Sequence, residues 1–336
     1  MSTINVDIVD PQSGNNVTVS GVVIDSPTTN SIAVGANALQ LITTGTQNIA
    51  IGTDTLKTIT GANRNIAIGF EALSSLTSGN SNTAIGTYAL NNAVTGGGNV
   101  AIGYNASSQL NGGFNTSTGY EALVSLVTGG NNTAIGGRAG YLLNIGNGNV
   151  FLGPQAGYAL TTGNDNIIIG FGNPGGPGQP ELNSGNNNIM IGNNTLPSTP
   201  VADNEITLGN LSNTVLRCAV TSITSLSDAR DKKEIEELPV GLEFVEKLKP
   251  VKFTWDDRNE EGKHDIEDFG FIAQDLKASQ EEANASYLGL VYEANPEKLE
   301  ASYGKLLPVL VKAIQELSSE VKSLKEELET LKANNK

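Results

Sequence analysis

The chain has 336 residues and a formal charge of −15, and the charge is unevenly spread. Residues 1–226 hold 10 acidic and 4 basic side chains, whereas residues 227–336 hold the other 25 and 16. No segment is basic enough to grip nucleic acid or anionic lipid by counterion release. None approaches the roughly twenty apolar residues that span a bilayer, so neither nucleic-acid binding nor membrane insertion is expected. The only cysteine, Cys218, excludes an intrachain disulfide framework and offers no metal spacing. The only histidine, His264, sits in the charged turn EEGKHDIED, so no cofactor and no metal are expected.

The start, MSTINVDIVD, has no basic stretch followed by an apolar run, so no signal peptide is expected. A cytoplasmic origin and a soluble product follow. Residues 1–29 share no pattern with what comes after them and are expected to be an attachment segment.

From residue 30 to 210 the chain repeats. Apolar blocks closed by glycine end at Gly35, Gly52, Gly69, Gly86, Gly103, Gly119, Gly136, Gly153, Gly170, Gly192 and Gly209. The spacing is 17 residues except for one interval of 16 and one of 22. Each unit is too short for two packed helices and has no helical periodicity. A short β-type run, a glycine, a small-residue segment and a Gly/Asn turn suit one coil of a β-solenoid per repeat. Asn and Gly are expected at corners that need positive φ. Alternation in N-x-A-I-G puts Ile on one face and Ala on the other, so Ile51, Ile68, Ile85, Ile102 and Ile135 are expected to stack as a buried ladder. The Ala face is then open to close approach by another element. Thr116, Ser117 and Thr118 replace the apolar run in the sixth unit, marking a loose coil or a change of packing. Between Gly170 and Asn188 the insert GFGNPGGPGQPELNSGNNN must bulge from the coil; it is either a binding loop or a tolerated insertion.

The N-x-A-I-G-x-x-A-L units resemble the head repeats of trimeric autotransporter adhesins and similar repeats in phage tail fibres. That resemblance implies three chains, each a parallel β-roll, packed about a threefold axis.

Residues 211–226 are expected to form a neck. The composition then changes at SDARDKKEI. A bland reading makes Ser227 a helix N-cap before an acidic first turn. The stretch SDARDKKEIEELPVGLEFVEKLKPVKFTWDD, followed by FGFIAQDL and YGKLLPVLVKAIQEL, resembles the C-terminal intramolecular chaperone of phage endosialidases and tail fibres, which opens on Ser-Asp-x-Arg-x-Lys. The resemblance implies a domain, residues 227–300 here, that trimerises, guides folding of the β-rich part before it, and is often released by cutting before the serine. Ser227 would be the nucleophile and Lys232 its partner, with Asp228 and Arg230 also matching and the scissile bond between Leu226 and Ser227. A serine hydroxyl needs a neighbour to take its proton, and a desolvated lysine can do so. Asp231 stands where the family commonly has leucine, and a carboxylate beside Lys232 would favour its ammonium form.

Residues 301–336 end the chain. Leu307, Leu310, Ile314, Leu317, Val321, Leu324, Leu328 and Leu331 step by 3 and 4 in alternation, the a/d seam of a coiled coil. Glu320 with Lys325, and Glu327 with Lys332, take g and following e positions that pair between parallel helices. The heptads leave the strand number open; the β-roll resemblance implies three.

The fold class expected is therefore mainly β: a trimeric parallel β-solenoid (β-roll) of about eleven 17-residue coils, followed by an α+β chaperone domain ending in a parallel coiled coil. The expected protein is a homotrimeric phage tail fibre or tail-tip protein, held in the virion tail. Its expected partners are tail or baseplate proteins at the N-terminus and a host glycan or protein receptor. Two alternatives stand beside it. A polysaccharide-cleaving tailspike needs paired carboxylates, for which the repeats offer Asp54, Glu71, Glu121, Asp165 and Glu181. A bacterial surface adhesin would share the repeats, but it needs a signal peptide and a membrane barrel.

Overall fold

The structure, a computed structural model, describes residues 17–19, 22–24, 30–172, 181–210, 212–213, 215–217, 227–256 and 264–335. Cys218, Leu226, most of the 1–29 segment and residues 173–180 of the insert lie outside the described residues. The chain divides into two units, Met1–Asn210 and Leu211–Lys336.

The first unit is a stack of coils in which each repeat contributes one three-residue strand. Eleven such strands, β3 (Ile32–Val34) to β13 (Ile206–Leu208), form one parallel sheet in strict sequence order. At its open end, β1 (Val17–Val19) and β2 (Val22–Ile24) add as an antiparallel hairpin on β3. The pairing covers a sheet edge that would otherwise expose unpaired backbone groups. Elsewhere in each coil, N–H groups reach carbonyls one coil away, as in Leu73 N to Ala89 O (3.0 Å) and Ser75 N to Asn91 O (3.1 Å).

The asparagine before each strand is the most constrained residue of the repeat. Asn48, Asn65, Asn82, Asn99, Asn115, Asn132, Asn149, Asn166 and Asn188 are at most 1% exposed. Asn65 Nδ2 donates to Asn48 Oδ1 at 3.2 Å and to Gly79 O at 2.9 Å. Its own Oδ1 accepts from the backbone N and the Nδ2 of Asn82, both at 3.0 Å. Each carboxamide thus joins three consecutive coils and leaves no polar atom unpaired, which burial demands. The ladder starts on Ser31 Oγ, which accepts from Asn48 N. It ends at Glu205, whose carboxylate accepts from Ser198 N, Ser198 Oγ and Thr207 Oγ1.

The expected buried isoleucine ladder is corrected by the structure. The middle residue of each strand points inward, so Ala50, Ala67, Ala84, Ala101 and Ala134 are fully buried. Ile51, Ile85, Ile102 and Ile135 are 36–41% exposed, and Ile68 is half-buried. The physical reason is space: one or two large buried side chains per coil, such as Leu73 with Leu76 or Leu56 with Ile59, already fill the lumen. Opposite them only a methyl fits. What approaches the Ala face closely is the coil's own far wall.

Compensation within single coils makes the same point. Phe151 takes the Ala position of its coil, and Gly140 and Gly157 take the matching Leu positions on either side. A Cβ on Gly157 would lie 2.4 Å from the Phe151 ring. In the sixth unit Ser117 replaces Ala and Ser107 replaces Leu, and their hydroxyls bond at 2.9 Å while fully buried. Strand β8 (Thr116–Thr118) keeps parallel register with both neighbours, so that coil is repacked rather than loose.

Positive φ is taken by glycine after every strand, but up to three times per coil also by other residues, as at Asp54, Leu56 and Arg64. Leu56, Leu73, Leu90 and Leu123 have φ of 45–52°, a left-handed geometry costing about 1–2 kcal/mol per residue. Burying each leucine contributes a similar amount, about 1.5–3 kcal/mol. The closing glycine has a second constraint: a Cβ on Gly86 would lie 2.5 Å from Gly103 O.

The second unit has a short helix α1 (Leu242–Glu246), an antiparallel pair β14 (Pro250–Asp256) and β15 (His264–Phe271), and helix α2 (Ala273–Glu282). A small pair, β16 (Val291–Tyr292) with β17 (Glu300–Ala301), precedes the 29-residue helix α3 (Leu306–Asn334). Phe244, Ala285, Leu290, Leu306 and Val309 form its core. Glu316 Oε2 of α3 accepts from Leu242 N at 2.7 Å, fixing α1 against α3.

The ladder can be tested at Asn99. Asn99→Ala orphans Asn115 N and Gly112 O inside the coil, at about 1–3 kcal/mol for each group. The expected outcome is a clear drop in the thermal midpoint, against a much smaller one for Asn80→Ala in the coil before, where the Asn63 N–H that loses its acceptor is exposed to water.

Candidate functional site

The boundary residues of the second unit carry the candidate chemistry. Asp228, in extended backbone, caps a single 3₁₀ turn over Ala229–Asp231 by accepting from Arg230 N at 2.9 Å. The same carboxylate accepts from Arg230 Nε (3.0 Å) and Nη2 (2.6 Å), a bidentate fork. The N-cap is thus Asp228 and not Ser227. The guanidinium holds the Asp228 carboxyl below its ordinary value of 3.8, with the Arg230 N–H adding to the effect.

The short turn brings residues five apart together. Lys232, again extended after the turn, places Nζ 2.5 Å from Ser227 Oγ. For nucleophilic attack the proton must run from Oγ to Nζ, which requires the neutral amine. Desolvation favours that form, and in the single chain both residues are exposed. Among the described residues no ion pair joins Asp231 to Lys232, so Asp231 is not held against the amine. Ser227, Asp228, Arg230 and Lys232 therefore share one turn, while the carbonyl of Leu226 lies outside the described residues.

The seam residues of α3 are a second candidate surface. Leu306, Val309 and Ala313 face the unit's own core. Leu307, Leu310, Ile314, Leu317, Val321, Leu324, Leu328 and Leu331 lie on another face and are 40–66% exposed. Lys332 bonds Glu329 of its own helix at 2.9 Å. The carboxylates of the repeats have separate partners. Glu121 pairs with Arg138 at 2.9 Å, and Glu71 accepts from Asn91 at 3.0 Å. Among the described residues no cluster of three or more His, Cys, Asp or Glu is placed to hold a metal, and no helix is long and apolar enough to cross a membrane.

Sequence reasoning missed the Asp228–Arg230 fork as a structural element and missed the asparagine ladder. The ladder's signal was present, since Asn precedes the strand in most units, but asparagine is ordinarily a surface residue.

The Asp228 fork predicts its own titration. Its depressed value means that the contact is present above ordinary aspartate pH and is lost as pH falls through the lowered value. In carboxyl-detected NMR, Asp228 is expected to titrate below 3.8, and Arg230→Ala is expected to return it towards 3.8.

No curated protein and no solved structure matches the chain. Residues 227–284 match the family described as chaperone of endosialidase, and the match opens on Ser227 itself. A β-solenoid of about ten turns followed by a chaperone-of-endosialidase domain fits a tail fibre with a C-terminal chaperone domain.

Proposed function

We propose that the chain is a homotrimeric phage tail fibre or tail-tip protein that serves host attachment and is held in the virion tail. Its C-terminal unit brings three chains together and starts the folding of their solenoids. The observation that carries this reading is the pair of uncovered apolar surfaces. The seam of α3 is exposed along its whole length. The outward strand positions form two largely apolar columns, with Ile49, Ile66 and Val100 in one and Ile51, Ile85 and Ile102 in the other, interrupted by Thr83, Thr116, Thr118 and Thr133. Exposed contiguous apolar surface on this scale marks an interaction site, and columns running through all eleven strands suit a side-by-side contact between like rods. Residues 1–29 join the fibre to tail or baseplate proteins.

Self-cleavage between Leu226 and Ser227 belongs to this reading. Packing of three chains would bury the Ser227–Lys232 turn and supply the desolvation that the amine needs. After assembly the chaperone unit is dispensable, so release costs the fibre nothing.

Sedimentation equilibrium tests the assembly: a mass near three times 35.0 kDa is expected for intact protein, and a monomer removes the proposal. Intact mass tests the cut. A product starting at Ser227 is expected from the wild type and is lost in Ser227→Ala and Lys232→Met. An uncleaved wild-type trimer would remove self-cleavage and leave the fibre.

A further inference from the structure

Six aromatic side chains of the solenoid gather in one row beside the corner that follows the strands. Phe70 meets Tyr88 edge-to-face at 5.5 Å, Tyr88 meets Tyr104 edge-to-face at 6.0 Å, and Tyr104 stacks on Tyr120 at 5.5 Å. Arg138 continues the row, its guanidinium 5.6 Å from the Tyr120 ring and 5.5 Å from that of Tyr141, which stacks on Tyr158 at 5.0 Å. We infer that this row is a binding site for a neutral polysaccharide, laid lengthwise along the coil axis. The inference rests on the host-attachment reading and names the surface and ligand class that attachment would use.

The coil itself does not demand these rings. The place of Phe70, Tyr104 and Tyr120 is taken by Ala36, Thr53 and Pro154 in other repeats, and that of Tyr88 by Asn37, Asp54 and Gln155 with the same positive φ. Nor do the rings form core: Phe70, Tyr104 and Tyr120 are 41–49% exposed. In an edge-to-face pair only one ring gives a face to its neighbour, so the two perpendicular steps at Tyr88 leave ring faces for a ligand. The extent of the row also separates it from a contact between copies. The outward strand columns, β-branched except at Leu152 and Leu208, follow every strand from β3 to β13, as a seam between rods must. The aromatic row spans five coil steps, roughly 24 Å at 4.8 Å each.

The chemistry selects the ligand. Tyrosine gives a rigid, flat, apolar surface with a hydroxyl at its tip, a large contact area at low entropic cost. That pairing of apolar face and polar rim matches a sugar ring, whose C–H groups lie on one face and hydroxyls at its edge. Charge excludes acidic polymers. The row has one cation, Arg138, and Glu121 already holds it at 2.9 Å; the chain as a whole carries −15.

The test uses the full-length protein and a panel of neutral gluco-, galacto- and manno-oligosaccharides, with binding read by saturation-transfer NMR and calorimetry. At least one oligomer is expected to bind, and Tyr104→Ala with Tyr120→Ala is expected to weaken it about tenfold or more at an unchanged thermal midpoint. Tyr120→Phe, which keeps the ring, is expected to retain most of the affinity. The proposal is overturned if no panel member binds or if the double variant binds as the wild type does. It is equally overturned if the double variant sediments as separate chains, because the row is then a contact between copies. Adsorption of labelled protein to bacterial cells separates the two readings. A double variant that adsorbs normally removes the glycan row and leaves attachment standing. Oligomer binding by a wild type that adsorbs to no cell supports the row and removes attachment.

Discussion

The buried asparagine ladder is the constraint on which the repetitive unit depends. Each carboxamide must find an acceptor in the coil before it and another in the coil after it, because an unpaired amide inside the lumen costs several kcal/mol. That condition ties the coil length to the repeat. If a coil gains or loses a residue between strand and asparagine, the ladder breaks unless the turn absorbs the change. The 16-residue interval shows how absorption works: the residue is lost in the turn around Gly112, and Asn115 still meets Asn99 Oδ1 at 3.2 Å. The 22-residue interval adds its residues after Gly170, and Asn188 still meets Asn166 Oδ1 at 3.0 Å.

With the ladder in place, the rest of the cross-section follows. The strand after each asparagine turns its middle residue inward and its flanking residues out, by the twofold alternation of β-structure. The lumen is narrow, so the inward residue must be small wherever two leucines face it, and can be Phe151 only where glycines replace them. Every coil therefore presents two outward strand residues, β-branched in all but Leu152 and Leu208. The unusual surface of the solenoid is a consequence of how its interior is closed.

The repeat, its pitch and the coil architecture were legible in the sequence because glycine marks each corner at fixed spacing. The α3 seam was legible because heptads are a one-dimensional pattern. The inside-outside assignment of the strands was not. Size and apolarity point to Ile as core and Ala as surface, and only the three-dimensional narrowness of the coil reverses that. The left-handed leucines were equally hidden, since their strain is offset by burial that a sequence does not display. At the boundary, Ser227 and Lys232 were legible as a motif, whereas the Asp228 fork that shapes the turn between them depends on rotamers. The aromatic row was hidden too, because its rings stand one, two or five residues after the closing glycines and meet only in the folded coil.

A ladder with near-identical rungs has one weakness: a slip by a whole repeat satisfies nearly every local contact. In the proposed trimer, copies aligned side by side need a start point outside the repeats, because non-local pairing of this kind is slow and aggregation-prone. On that proposal the charged C-terminal unit, with its own core and its uncovered helix seam, answers the need. The direct measurement is refolding from denaturant of the full chain and of a chain ending at Leu226. Recovery of the native assembly by the full chain alone, with aggregates or mixed registers from the shortened one, is the predicted result. Equal recovery of the same assembly by both would contradict the account.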